Sequence, residues 1–402
     1  MEPLELKNDF PVLNETDTVY LDTAASSLTP TSVIERMDEY YRHYPVNVHR
    51  GVYNLSFRAT SMYENARREI AAFINASFEE TVFTRGASSA LNLVALTYGM
   101  ANLGPGDEVI VSELEHHSHV LPWQQVAKRT GATLVYVPLD EAGRITTDNF
   151  RSVLSEKTKI VALTYISNVM GYETPLEPII ALAHEKGAIV SIDAAQAAPH
   201  RTIDVKTLDC DFLAFSGHKM CGPTGIGVLY GKKALLDNMD PLEYGGDMND
   251  NVEKFDVTVK DTPYKFETGT PPIAEAIGLA EAVRYLKKIG FEKIIAHEKR
   301  LKDQAIKQLS AIDGITVYNP TTETGIIAFN LDGVHPHDAI TFFDEDNIAM
   351  RAGHHCAQLL IRFLNVAATL RASFYLYNTD ADVKRFIKNV KEAREFFTSV
   401  GF

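Results

Sequence analysis

The sequence predicts an α/β protein built on a mostly parallel sheet with helices on both faces. Three observations predict it. Short apolar runs alternate with helix-period segments through residues 30–230. Two of those runs lead into charged residues of opposite sign, Asp193 and Lys219, and ligands of open α/β sheets sit at the carboxyl ends of strands. With 402 residues the chain is also too long for one ordinary core, so two domains are expected.

Taken in order, residues 30–41, 56–74 and 90–100 read as helices. Residues 108–112 read as a strand, 121–129 as a helix, and 133–137 and 159–166 as strands. A helical segment at 176–186 stops at Gly187. The runs 188–193, 211–215 and 227–230 continue the sheet. After Gly269-Thr270-Pro271-Pro272 the character changes. Two long helical patterns, 273–288 and 291–310, lead into a second unit of strands and helices that includes 325–331, 338–343 and 372–377. A charged helix over 380–398 ends it. The polar stretch 245–264 reads as an excursion at a domain edge or a subunit interface.

Composition narrows the function. Hydrophobic residues make up 45% and charged residues 23%, the balance of a soluble globular protein. A net charge of −14 argues against non-specific binding to nucleic acid or anionic membranes. The three cysteines, Cys210, Cys221 and Cys356, are no disulfide framework and point to a reducing cytoplasm. The opening residues 1–7 lack the basic and apolar regions of a signal peptide. No apolar run approaches the ~18 residues of a membrane helix.

Lys219 closes Ser216-Gly217-His218-Lys219, just past a buried run and before the glycine-rich 222–227. Partial burial there lowers a lysine pKa and frees the amine as a nucleophile. With Asp193 facing the same pocket, the pair suits pyridoxal 5′-phosphate (PLP), which needs a lysine for its Schiff base and often an acid against its pyridinium nitrogen. The plainer readings are a surface lysine and an aspartate capping a helix. Gly86, Ser88 and Ser89 precede a helix and offer hydroxyls and free N–H groups to a phosphate, or a simple serine cap. His116, His117 and His119 form a polar cluster, a metal site, or an aromatic plate with a proton carrier. Arg371 opens an apolar run, where a guanidinium needs a carboxylate from substrate or from protein. Cys356 follows Gly353-His354-His355, where glycine permits an unusual backbone and imidazoles would favour thiolate. Cys210 reads as an inert buried thiol and Cys221 as a loop residue.

Four strings carry a resemblance: residues 191–196 (SIDAAQ), 216–219 (SGHK), 351–358 (RAGHHCAQ) and 371–379 (RASFYLYNT). Together they resemble the class V, fold-type I PLP enzymes, and the last two look like the cysteine desulfurases of SUF-type iron–sulfur assembly. The likeness runs from about Asp9 to the C-terminus. It implies a large PLP-binding domain, 20–272, with a mostly parallel seven-stranded sheet between helices. It also implies a smaller α+β domain, 273–402, carrying the catalytic cysteine, with residues 1–19 packed on it. The implied reaction converts L-cysteine to L-alanine with a persulfide on Cys356.

The resemblance implies catalytic roles for Lys219, Cys356 and His116. It implies cofactor contacts from Ser88, His116, Asp193, Gln196, Ser216, His218, Lys219 and Thr270. Asn168, Arg351, Arg371 and Arg50 would hold the substrate, and no metal is expected. Arg50 and Thr270 match positions that reach the neighbouring subunit's site, which implies a homodimer. The persulfide would pass to a SufU-like or SufE-like acceptor and on to SUF scaffold proteins. The Cys-Ala-Gln string and His335-Pro336-His337 look more like the SufU-using branch, with His337 exchanging into the partner's zinc site.

This chain departs from the pattern at Ala87, Ser88 and Ser89, where Thr, Thr and Glu are usual. It departs again at Leu359 in place of proline, which is expected to loosen the turn into a helix at 359–364. The alternatives are a selenocysteine lyase, an aminotransferase or kynureninase-like hydrolase, and a zinc hydrolase using His116, His117, His119 and Cys356.

Overall fold

A computed structural model describes residues 6–401. Residues 1–5 and 402, which the expected division assigns to the smaller domain, lie outside the described residues. A two-residue strand β1 (Val19–Tyr20) and the helices Thr31–His43 and Asn54–Phe73 come first. A seven-stranded sheet follows, made of β2 (Thr81–Thr84), β3 (Glu108–Ser112), β4 (Thr133–Val137), β5 (Thr158–Thr164), β6 (Ile189–Asp193), β7 (Phe212–Ser216) and β8 (Gly227–Gly231). Its order is β2-β8-β7-β6-β5-β3-β4. The run from β7 to β4 is parallel, and β8 lies antiparallel to both β7 and β2. The inner strands are buried on both faces, which is why they read as continuous apolar runs.

Some boundaries differ from the sequence expectation, each for a local reason. The helix expected over 121–129 spans His117–Thr130, because its first turn is polar and carries no apolar period. The helix expected from residue 90 begins at Ala87 and continues through a π-helical stretch, Val94–Gly99. β2 and the short helix Thr147–Val153 were not anticipated; neither is long enough to establish a period.

The polar stretch 245–264 contains an antiparallel hairpin of β9 (Asn249–Val252) and β10 (Val257–Val259). Helices Ile273–Ile289 and Phe291–Leu309 lead to a second sheet. Its region holds β11 (Ile315–Val317), β12 (Ile326–Leu331), β13 (Ile348–Ala349), β14 (Arg351–Gly353) and β15 (Thr369–Ser373). Four of these form an antiparallel sheet in the order β11-β12-β15-β14, while β13 pairs in parallel with β1. The expected segment 372–377 is strand only to Ser373. Beyond it Asn378 Oδ1 accepts the Tyr375 N–H at 2.8 Å and turns the buried chain away from the ladder.

Two joins matter for the site. Asp22 bridges in parallel to Ser373, tying the N-terminal segment onto β15. The largest apolar core includes Leu279 and Tyr375 together with Ala357 and Leu360, so the chain after Cys356 is anchored in it. Burying a leucine there contributes about 1.5–3 kcal/mol.

Candidate active site

A cavity of about 340 Å³ lies beyond the carboxyl ends of β6 and β7, and side chains from the second sheet complete its lining. Asp193 is the last residue of β6 and Lys219 ends the single turn Gly217–Lys219 after β7. Both line the cavity. Burial pushes the Lys219 ammonium below the usual lysine range, with Asp193 opposing and Arg371 adding to the shift. Among the described residues the Asp193 carboxylate accepts one hydrogen bond, from the Ala195 N–H to Oδ1 at 2.9 Å, which leaves acceptor capacity toward the cavity.

The glycine-rich turn has a packing reason. A Cβ on Gly227 would stand 2.5 Å from the Gly86 Cα, so the loop before the helix at Ala87 approaches β8 only because residue 227 is glycine, while Gly86 takes a φ of +154° that favours glycine. That approach brings Ser216 Oγ to 2.8 Å from the Ala87 N–H, which it accepts. Beside it Ser88 Oγ shares a 2.6 Å bond with Ser118 Oγ. Ser88, Ser118, Ser216 and His218 all line the cavity.

His116 caps the helix His117–Thr130, its Nδ1 accepting the Ser118 N–H at 3.1 Å. Burial, reinforced by Lys219, holds its pKa down to about 4. The ring is therefore neutral near pH 7, as an acceptor requires. His117 turns away from the cavity: its N–H donates to Cys356 O at 2.7 Å, and its Nε2 accepts the Gln358 N–H at 3.1 Å. His119 is fully buried on Glu115, 2.8 Å away. The three histidines thus diverge, and among the described residues no three His, Cys, Asp or Glu side chains group to hold a metal ion. This removes the basis for the zinc-hydrolase alternative.

Cys356 is exposed and lines the cavity. It and His355 both adopt left-handed backbone, φ 55° and 51°, a conformation that non-glycine residues keep only where surroundings enforce it. The His117 bonds to Cys356 O and from the Gln358 N–H, with the Asn168 amide on His355 O, supply that enforcement. The expectation that imidazoles favour a thiolate needs correction at His355. Its buried ring bonds Thr369 at 2.9 and 3.0 Å, and burial drives its pKa to about 3, so it carries no charge. The cations that interact with Cys356 are Lys219, Arg351 and Arg371. Cys210 and Cys221 are buried, and burial raises both thiols, Cys221 to about 12.

Arg371 is 2% exposed. Its Nη1 donates to Asn168 O at 2.8 Å and its Nη2 to Asp22 Oδ1 at 3.2 Å. Asn168 in turn donates to His355 O at 2.7 Å. The turn carrying Asn168 needs Gly171, where φ is +61° and a Cβ would meet Thr322 Oγ1 at 2.3 Å. Three buried polar atoms in this corner have no hydrogen-bond partner: Arg371 Nε, Asn168 Oδ1 and His355 Nδ1. Such atoms are costly unless a ligand satisfies them.

Of the residues expected at the site, the cavity brings together Ser88, His116, Asn168, Asp193, Ser216, His218, Lys219, Arg351, Cys356 and Arg371. Gln196 is buried beside it and donates to Ala24 O at 2.7 Å. Arg50 and Thr270 do not line this cavity in the single chain. Arg50 is exposed and pairs with Asp247 at 3.0 Å, and Thr270 borders a second cavity of about 270 Å³. His337 is exposed, and its Nε2 would lie 3.6 Å from a Cβ on Gly353. Leu359 is partly buried against an apolar cluster that includes Leu91, inside the helix Gln358–Phe363. Sequence reasoning missed Tyr20, Asp22 and Ser118. Asp22 bore the same signal as Asp193, an acid ending an apolar run.

A sheet with an acid and a lysine at neighbouring strand ends, facing one cavity, defines a class of α/β enzymes. The sequence profile described as aminotransferase class-V matches residues 19–386, and the chain belongs to that family. More particularly, it is similar to proteins named as cysteine desulfurases. It is 53% identical over 405 residues to a probable cysteine desulfurase of Halalkalibacterium halodurans, covering 100% of both chains. It is 51% identical over 401 residues to one of Staphylococcus aureus, covering 98% of this chain and 97% of that one. The crystal structure of the Escherichia coli cysteine desulfurase CsdA superposes with a TM-score of 0.92 at 40% identity, over 97% and 98% of the two chains. The apo cysteine desulfurase of Thermococcus onnurineus superposes with a TM-score of 0.94 at 39% identity, over 98% and 99%.

Proposed function

We propose that this protein is a PLP-dependent cysteine desulfurase that moves the sulfur of L-cysteine onto Cys356 and leaves L-alanine. The observation that carries the reading is one cavity lined by both a buried lysine and an exposed cysteine, Lys219 and Cys356. The cavity's donor set fits the cofactor. Lys219 and Asp193 would hold the reactive carbon and the ring nitrogen, and His116 would pack against the ring. Ser88, Ser216 and His218 would hold the phosphate, while Gln196, expected at the phenolic oxygen, lies outside the lining with its amide on Ala24 O. When bound, PLP supplies an electron sink for charge developing on the substrate Cα.

The protein's own groups do the rest. Arg371 and Asn168, assisted by Arg351, fix the substrate carboxylate at the corner where Arg371 Nε has no partner. Lys219 Nζ, with its lowered pKa, takes the Cα proton. Cys356 thiolate attacks the substrate sulfur. A sulfur–sulfur bond forms, the substrate carbon–sulfur bond breaks, and its electron pair stays with the carbon skeleton that becomes L-alanine.

The same reading extends outward. Arg50 and Thr270 would complete the site of a second subunit. The exposed apolar side chains Val52, Tyr53 and Phe57 near Arg50, and Leu242 and Tyr244 near the second cavity, support a homodimer. The domain division at 272/273 belongs to this reading too. A SufU-like acceptor would take the persulfide sulfur for iron–sulfur assembly in the cytoplasm, with His337 beside the Cys356 loop as the docking histidine. Among the described residues no helix is long and apolar enough to cross a membrane.

The test is the absorption spectrum of the purified protein before and after L-cysteine, with alanine and reducible sulfur assayed together. A yellow protein whose band shifts while both products appear supports the reading. A colourless protein that PLP does not reconstitute overturns it.

A further inference from the structure

The carboxylate corner contains a charge that the proposed reaction does not use. Asp22 follows β1 and is held in place by its bridge to Ser373. Its carboxylate lies between two guanidiniums: Oδ2 is 2.9 Å from Arg351 Nη2, and Oδ1 is 3.2 Å from Arg371 Nη2. Three cations line the cavity, Lys219, Arg351 and Arg371, with two carboxylates, Asp22 and Asp193. Burial keeps His116, His218 and His355 neutral near pH 7. Lys219 and Asp193 face the cofactor, so at the carboxylate corner Asp22 alone reduces the two arginines to a single net positive charge.

We propose that Asp22 is a positioning and specificity-determining residue. It clamps Arg351 and Arg371 side by side and trims their charge so that the corner takes one carboxylate and disfavours amino acids bearing a second anion. This rests on reading the corner as a carboxylate site. Arg371 keeps donors for that ligand, because Nη1 and Nη2 each make one of two possible bonds and Nε makes none. Without Asp22 the arginines would present two uncompensated charges to whatever enters.

Cys356 reports the local charge directly, because it lines the same cavity and the other two cysteines are buried. The experiment measures its alkylation rate in the purified protein with iodoacetate, an anion, and with iodoacetamide, its neutral counterpart. Asp22→Asn should raise the iodoacetate-to-iodoacetamide rate ratio roughly fivefold, the size expected for one added charge within a partly screened pocket. Asp22→Glu, which keeps the charge, should leave the ratio near its wild-type value. The ratio cancels general loosening, which speeds both reagents.

A second arm compares kcat/KM for L-cysteine sulfinate with that for L-cysteine; Asp22→Asn should raise the preference for sulfinate by a similar factor. An alkylation ratio in Asp22→Asn that matches wild type, or an equal rise in Asp22→Glu, overturns the proposal. A wild-type protein inactive on L-cysteine would count against the proposed function instead, and the alkylation ratio would still decide the role of Asp22.

Discussion

Arg351 and Arg371 are direct cross-strand partners on β14 and β15, and the carboxylate of Asp22 bonds both. Like charges directly opposite in an antiparallel pair are destabilising. The bridge offsets that repulsion and leaves one guanidinium nearly fully buried and the other exposed.

The geometry makes Arg371→Lys a non-conservative change. An ammonium cannot reach Asn168 O and Asp22 while presenting a further planar donor. The KM for L-cysteine should rise roughly 10–100-fold, about 1.4–2.8 kcal/mol, with a smaller effect on kcat. Steady-state kinetics at saturating PLP would check this, and an unchanged KM would remove Arg371 from the carboxylate site.

Cys356→Ser should bind PLP normally, because Cys356 belongs to the second sheet's loop and not to the strand ends that carry Lys219 and Asp193. Alanine and sulfide formation from L-cysteine should fall at least about 10²-fold for want of the nucleophile. Full-rate desulfuration by this variant would refute the nucleophile assignment. Running L-selenocysteine in parallel separates a desulfurase from a selenocysteine lyase, in which the loss would be small.

Acid should weaken the fold through the buried imidazoles. His116 and His218 are held down to about 4 and His355 to about 3, in each case chiefly by burial. Between about pH 6.5 and 3 the unfolded chain binds protons that the folded chain refuses, so stability is full above pH 6.5 and is lost as pH falls. The most buried of the three, His355, should account for about 2–4 kcal/mol of that loss. Urea midpoints from pH 7 down to 4 in wild type and His355→Gln would show it; parallel slopes in the two proteins would exclude His355.

Away from the cavity, the Arg67–Glu267 pair holds the helix Asn54–Phe73 against the chain leading to Thr270. Arg67 is fully buried and donates to both oxygens of Glu267, at 2.6 and 2.8 Å. Glu267→Ala leaves that guanidinium with Glu64 alone, 3.4 Å from Nε, and should cost about 3–5 kcal/mol of stability. Thermal or urea unfolding would measure it, and a change under about 1 kcal/mol would mean that Glu64 or solvent compensates.

Much of the sheet was legible because β3 to β8 are apolar runs bounded by turn residues, and the long helices keep their period over several turns. β2 and the helix Thr147–Val153 were not, since four and seven residues establish no period. At the site, Asp193 and Lys219 could be read because each charge breaks an apolar run within its own strand or the turn after it. The first turn of the helix His117–Thr130 could not, since three polar residues look alike whether they line a loop or begin a helix. Only the folded chain sends His116 to the cavity, His117 to the Cys356 turn and His119 into the interior.

By itself the sequence determined the alternation of elements and the charges at two strand ends, because those are local properties of hydrophobic period and breaks in it. The tertiary structure decided which side chains meet. Asp22 reaches Arg351 and Arg371 across 329 and 349 positions of the chain, and Cys356 O meets the His117 N–H across the space between the two sheets. Pairings at such separations arise from how the sheets pack, and no local pattern records them. The same holds for Arg50 and Thr270, which the packing of one chain leaves outside the cavity it builds.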